Sequence, residues 1–257
     1  MIVLDKFVDK FNIYDLFSML IPGIGICTLF GISLSLEFYD IWKSYGNAKY
    51  AIFFIGSYFC GVIFHELGAV ADKYFLHKII YGGNPRGEYF KQKTPGIFLP
   101  VIILDDKYFF NNVKTLHNYI INKYVSVQEE LVTWKKREAE ESINRTDVNN
   151  NDSHLNSLVF GYCLNIAENN NFAGKYKNMN VISEMCRSLF LGCLLAIILN
   201  KIMIIVNPCH YIYYNINILL LTIFGYVFIR RKVRYERYQI RILLREVYLY
   251  FKEKGEI

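Results

Sequence analysis

The chain has no C-x-x-C pair and no cysteine–histidine spacing of the kind that holds a metal, although it carries 6 cysteines. Cys27, Cys60 and Cys193 fall inside apolar runs, and Cys209 lies in a short turn between two of them. Cys163 and Cys186 stand apart in a more polar part. That placement excludes a zinc site and a disulfide framework and leaves small, weakly polar packing residues. Also missing are a phosphate-cradling loop, G-x-G-x-x-G, G-x-S-x-G and paired catalytic carboxylates. His65-Glu66 opens like the H-E-x-x-H helix of zinc proteases, but the fifth position is Ala69, so the second ligand is lacking. His77, His117, His154 and His210 show no ligand spacing, and Arg145 is too far from His154 for an R-x(4–6)-H ribonuclease pattern. No enzymatic activity, cofactor or metal is expected.

Charge is lacking from four long stretches, and there the sequence is most informative. Between Lys49 and Asp72 the only charged side chain is Glu66. About 20 apolar residues at a rise of roughly 1.5 Å each cross a bilayer core of roughly 30 Å, so Tyr50–Asp72 reads as a transmembrane helix. Ser57, Gly61, His65 and Gly68 recur on one side of it. Small residues at that spacing let a second helix approach closely in lipid. A first span is expected over Leu16–Leu36, with Pro22, Gly23 and Gly25 kinking its entry. It is too long for a signal-peptide core and has no A-x-A-like exit. A third span is expected over Ser188–Val206, interrupted by Asn200 and Lys201, and a fourth over Tyr211–Ile229, after an N-P-C-H turn.

The polar parts read as follows. Val3, Phe7, Phe11 and Tyr14 predict a short surface helix over Met1–Asp15. Glu37–Lys49 reads as a loop, and the Gly82–Gly87 and Thr94–Pro100 stretches as breakers flanking a strand or elbow at Val101–Leu104. Helices are predicted over Asn111–Glu141, His154–Glu168 and Asn178–Arg187. The Asn144-Arg145-Thr146 sequon is empty on the inner side of a membrane.

The formal charge of +6 is local: Arg230–Lys254 holds nine basic and three acidic residues, and the remainder balances. Basicity there, and after the second span, faces both termini and the middle segment to the cytoplasm. The expected architecture is all-α: an integral membrane protein with four transmembrane helices and a mainly helical cytoplasmic domain between spans two and three. Its parts are 1–72 (N-terminal helix and hairpin), 73–186 (cytoplasmic), 187–229 (second hairpin) and 230–257 (amphipathic basic tail).

Three polar residues stand out near the inner membrane face: His65, Glu66 and Arg187. An intramembrane carboxylate points to function by default. Arg187 enters the third span near the level of Glu66 and is expected to pair with it, locking spans two and three. The alternatives are a pair that only fixes packing, a role in gating, and acid–base catalysis. Lys201, by contrast, is expected to snorkel outward. In the tail, Arg230, Arg234, Arg237, Arg241 and Arg245 form one stripe suited to anionic lipid or an acidic ligand. The adjacent apolar stripe, Val233, Ile240, Leu244, Val247 and Phe251, is expected to pack on the helix at Leu155–Ile166.

YDLFSMLIPGIGI, FHELGAVADK, GNPRGEYF, FGYCLN and KYKNMNVISEMCRSLF together resemble a broad set of small bacterial four-pass membrane proteins found beside phage-defence genes. That set is broadly similar to the membrane subunit of Kiwa-type systems. The resemblance covers most of the chain. It carries over Glu66 and Arg187 as matching positions and no catalytic residue. It implies a multi-pass inner-membrane effector or sensor of antiviral defence, self-associating and perturbing membrane permeability when triggered through its cytoplasmic part. A passive anchor that recruits a soluble enzyme is the alternative, and an embedded enzyme acting on lipid or peptide is a third. The partners expected are the bilayer, further copies of the chain and a soluble signalling protein or anionic ligand, without direct nucleic-acid binding.

Overall fold

A computed structural model of the chain describes residues 16–81, 107–123 and 151–257. Every regular element among them is helical. In lipid a segment must satisfy its own backbone hydrogen bonds, which overrides the strand preference of the many Ile, Phe and Tyr residues. Helix α1 spans Ile21–Ser44, α2 Ala48–Ala71, α3 His77–Tyr81, α4 Lys107–Lys123, α5 Asn151–Asn169, α6 Gly174–Val206 and α7 Tyr211–Glu253. Three stretches are long and apolar enough to cross a membrane: Ala48–Ile80, Gly174–Val206 and Pro208–Glu253. Ser18–Leu34 is a shorter apolar helical segment. The N-terminal surface helix, both breakers, the strand or elbow, the sequon and the expected helix beyond Lys123 lie outside the described residues.

The chain divides into two compact units, Met1–Asp72 with Asn180–Tyr235, and Lys73–Met179 with Glu236–Ile257. In the first, the irregularity expected at Pro22 falls one turn earlier. A π-helical turn, Leu16–Leu20, precedes α1, and Pro22 sits in the first turn of α1. Its ring would clash with the Ser18 carbonyl in tight α winding, and its missing N–H is not needed at a helix start. The expected loop at Glu37–Lys49 shrinks to a three-residue turn, Tyr45–Asn47. No Gly or Pro interrupts Glu37–Ser44, so the helix runs on until Gly46, whose φ of 51° suits a residue without Cβ.

The small residues of α2 are in its contacts, as their spacing implies. Ser57, Gly61, Phe64 and Gly68 are its buried positions. Gly23 of α1 lies against the Ser57 carbonyl, and Gly61 lies against the Met19 carbonyl. Cys27 and Cys60 are free and partly buried. Helix α6 is not interrupted at Asn200 and Lys201. The Asn200 amide donates to the Ala196 carbonyl (2.8 Å) and to Ser33 Oγ of α1 (2.7 Å), and Asn217 of α7 donates to its oxygen (3.5 Å). A polar residue so partnered does not break a helix in an apolar setting. Lys201 is exposed.

The second unit is built around one apolar cluster. It joins Val113, Leu116 and Ile120 of α4, Val159, Phe160, Cys163 and Ala167 of α5, and Ile240, Leu243, Leu244, Val247 and Phe251 of α7. The apolar tail stripe from Ile240 onward thus packs on α5 as its periodicity implied. Between α5 and α6 the chain turns at Asn171, whose φ of 61° is left-handed. The Phe172 amide closes the turn on the Ala167 carbonyl at 3.0 Å, a helix-terminating arrangement.

Candidate functional site

Three charged side chains meet in the first unit. Asp72 follows the last turn of α2, Arg187 lies midway along α6 and Lys232 on α7. Residue exposures are 7% for Asp72, 7% for Arg187 and 1% for Lys232, so the three are excluded from solvent together. Arg187 Nη1 donates to Asp72 Oδ2 at 2.9 Å, and Lys232 Nζ lies 2.9 Å from Asp72 Oδ1. One carboxylate thus holds two cations, one on each oxygen. Arg187 Nη2 also donates to the His65 carbonyl at 3.3 Å. Ser183 Oγ donates to the Lys232 carbonyl at 3.3 Å, tying α6 to α7 beside the charges.

The cluster is possible because Gly68 has no side chain. A Cβ there would stand 2.5 Å from Arg187 Nε, so the guanidinium fills the space over the glycine. Any larger residue at position 68 would push Arg187 away from Asp72.

The expected Glu66–Arg187 pair is therefore corrected. Arg187 does join α6 to the end of α2, but through Asp72. Asp72 lies eleven residues beyond Gly61, which at about 100° per residue returns to the same face. Glu66 lies five residues beyond Gly61, about 140° away, and is exposed. His65 contributes its carbonyl, and its ring is half-buried.

The tail arginines do not make one uniform exposed stripe either. Arg230, Arg234 and Arg245 are exposed, Arg241 is half-buried and Arg237 is buried. Besides Asp72, the residues missed from the sequence are Lys232 and Glu236, both buried despite their charge. Following the buried positions Val247, Leu243, Ile240 and Glu236 back along α7 leads to Lys232, a helical phase that could have placed both inside. Within the second unit Glu236 Oε1 is 2.9 Å from His77 Nε2.

A second polar cluster lies in the second unit, at the edge of a surface hollow lined by Tyr119, Asn122, Lys123 and Glu256. The Tyr119 hydroxyl donates to Glu256 Oε2, and Lys123 Nζ donates to both. The bonds from Lys123 and Tyr119 hold the Glu256 carboxyl below its ordinary range. The same carboxylate raises Lys123, and burial followed by the bond to Glu256 raises Tyr119. A lowered carboxyl stabilises the fold above its unfolded value, and the contribution fades as pH falls through the folded value. A raised lysine or tyrosine contributes below its unfolded value and fades as pH rises through the folded one. The Glu256 amide, bonded to the Phe251 carbonyl at 3.0 Å, should accordingly lose hydrogen-exchange protection in acid and in strong base. Glu256→Gln should abolish the acid limb, and an unchanged acid limb would show that this carboxylate does not latch the segment.

Among the described residues, no three His, Cys, Asp or Glu side chains come together to hold a metal. The site's chemistry is electrostatic: one buried carboxylate shared by two buried cations from different helices.

Fold and site together give a helical protein with three helices long and apolar enough to cross a membrane and a buried charge triad at the end of α2. No protein-family model matches the chain, nor does any curated protein or solved structure.

Proposed function

We propose that this chain is a four-span inner-membrane sensor or effector whose membrane helices repack when its second unit is engaged. Both termini and the middle segment face the cytoplasm in this reading, because seven basic residues crowd Arg230–Arg245 and none occupies the turn between α6 and α7. The observation that carries it is the Asp72–Arg187–Lys232 triad. Buried ion clusters add little net stability compared with apolar packing, and the role of this one is to specify a single arrangement of helices. A two-state device needs such an element. Helices α6 and α7 each supply residues to both units. The antiviral setting rests on the motif resemblance.

The test is membrane-potential dye uptake in cells overexpressing the chain, with Arg187→Ala and Glu66→Ala beside it. The expected result is depolarisation by the parent that Arg187→Ala alters. A normal potential, together with phage sensitivity unchanged by the gene, would remove the reading.

The alternative is a passive anchor that recruits a soluble partner. Exposed arginines favour it, Arg230 and Arg234 in the first unit and Arg245 in the second, each suited to an acidic protein or headgroup. In that case replacing these three abolishes recruitment, while Arg187→Ala changes only protein abundance.

A further inference from the structure

Glu66 is exposed in the middle of an apolar helix face. Ile52, Ile55, Phe59, Ile63 and Val70 lie within about 60° of it around α2, with exposures of 45%, 60%, 61%, 56% and 55%. Asp72 is six residues further on, so Glu66 sits about 9 Å inward of it along the helix. Exposed apolar residues continue beyond that level, with Tyr74 at 68% and Phe75 at 60%. Lys201 is also exposed, but it has a long apolar stem with which to reach the interface. A glutamate is too short to span that depth. Facing hydrocarbon, its carboxyl would lack a hydrogen-bonding partner, an arrangement that membrane helices avoid.

We infer that this face of α2 is the contact surface with a second copy of the same chain, centred on Glu66. The small-residue side of α2 is occupied within the chain by Gly23, Met19 and Arg187, so self-association uses a different face. Two copies inserted in the same sense and related by a two-fold axis along the membrane normal bring each residue of that face near its own twin at the same depth. In that arrangement each Glu66 has a polar group at its own level. Two carboxyls that share a proton hydrogen-bond to each other, and such polar contacts hold helices together in lipid. Phe59, Ile63 and Val70 then close over the pair and exclude lipid from it.

This inference rests on the membrane part of the proposed function and not on the signalling part. The test uses the full chain in lipid nanodiscs, with the 6 native cysteines replaced. Single cysteines are placed by Phe59→Cys, by Ala69→Cys and, as a control on exposed α7, by Leu220→Cys. Copper–phenanthroline oxidation should give linked dimers from the first two and not from the third. In the background without added cysteines, Glu66→Leu should lower the dimer fraction at a fixed protein-to-lipid ratio at least tenfold. Glu66→Gln, whose amides still pair, should retain it. A chain monomeric in lipid, linkage only at Leu220→Cys, or a Glu66→Leu dimer undiminished would each overturn the contact. A monomer in nanodiscs leaves membrane residence standing, whereas a chain soluble without detergent removes that residence itself.

Discussion

Asp72→Asn should unfold or grossly destabilise the first unit. The substitution keeps the size of the side chain and removes the carboxylate charge that lies between two buried cations. Arg187 and Lys232 would then face each other across the gap now filled by the two carboxylate oxygens, each 2.9 Å from its cation. Removing one partner of a buried ionic group costs about 3–5 kcal/mol, because burial has stripped water from the charges that remain. Against a total stability of about 5–15 kcal/mol, that is a large share. The measurement is the midpoint of denaturation in mixed micelles, or the fraction of monodisperse protein surviving a heat ramp. Glu66→Gln should leave both nearly unchanged, because Glu66 is exposed within the single chain. Replacing all three charges at once, Asp72→Leu with Arg187→Met and Lys232→Met, should recover much of the loss while abolishing any switching. An Asp72→Asn protein as stable as the parent would show that the triad does not hold α2, α6 and α7 together.

Gly61→Leu is the second large effect. A Cβ at Gly61 points at the Met19 carbonyl, and backbone cannot swing aside as a side chain can. Overpacking of a tight site costs about 1–3 kcal/mol, and more where the obstacle is main chain. The substitution also separates the helices at Gly23 and Ser57, which share the same contact. The expected outcome is loss of the monodisperse species and increased proteolysis of the α1–α2 hairpin. Gly56→Leu is the matched control: nothing lies within 4 Å of its Cβ position, so it should be tolerated. Equal behaviour of the two variants would mean that α1 and α2 are not packed through Gly61.

The two predictions draw on features that were unequally legible. Ser57, Gly61 and Gly68 announced a close-packing side by spacing alone, because a helix repeats its face at a fixed angle. The same arithmetic, extended to Asp72, would have chosen the right acid. Depth in the membrane drew attention to Glu66 instead, and depth says nothing about which way a side chain faces. The tail had the same weakness. Its apolar stripe was readable, but charged residues were assumed to be outside, and Lys232 and Glu236 are inside. Asn200 read as a break because its partner Ser33 lies 167 positions away, where no local pattern reaches.

By itself the sequence determined that most of the described segments are helices and that several are apolar enough for a bilayer; it pointed to four spans, and three are long and apolar enough in the structure. Long uncharged runs leave a backbone in lipid no way to satisfy its hydrogen bonds except internally. Only the tertiary structure decided which charges meet, since Asp72 and Arg187 are 115 residues apart. How each helix is rotated toward its neighbours depends on contacts such as Gly68 against Arg187, and these form only when distant segments are brought side by side.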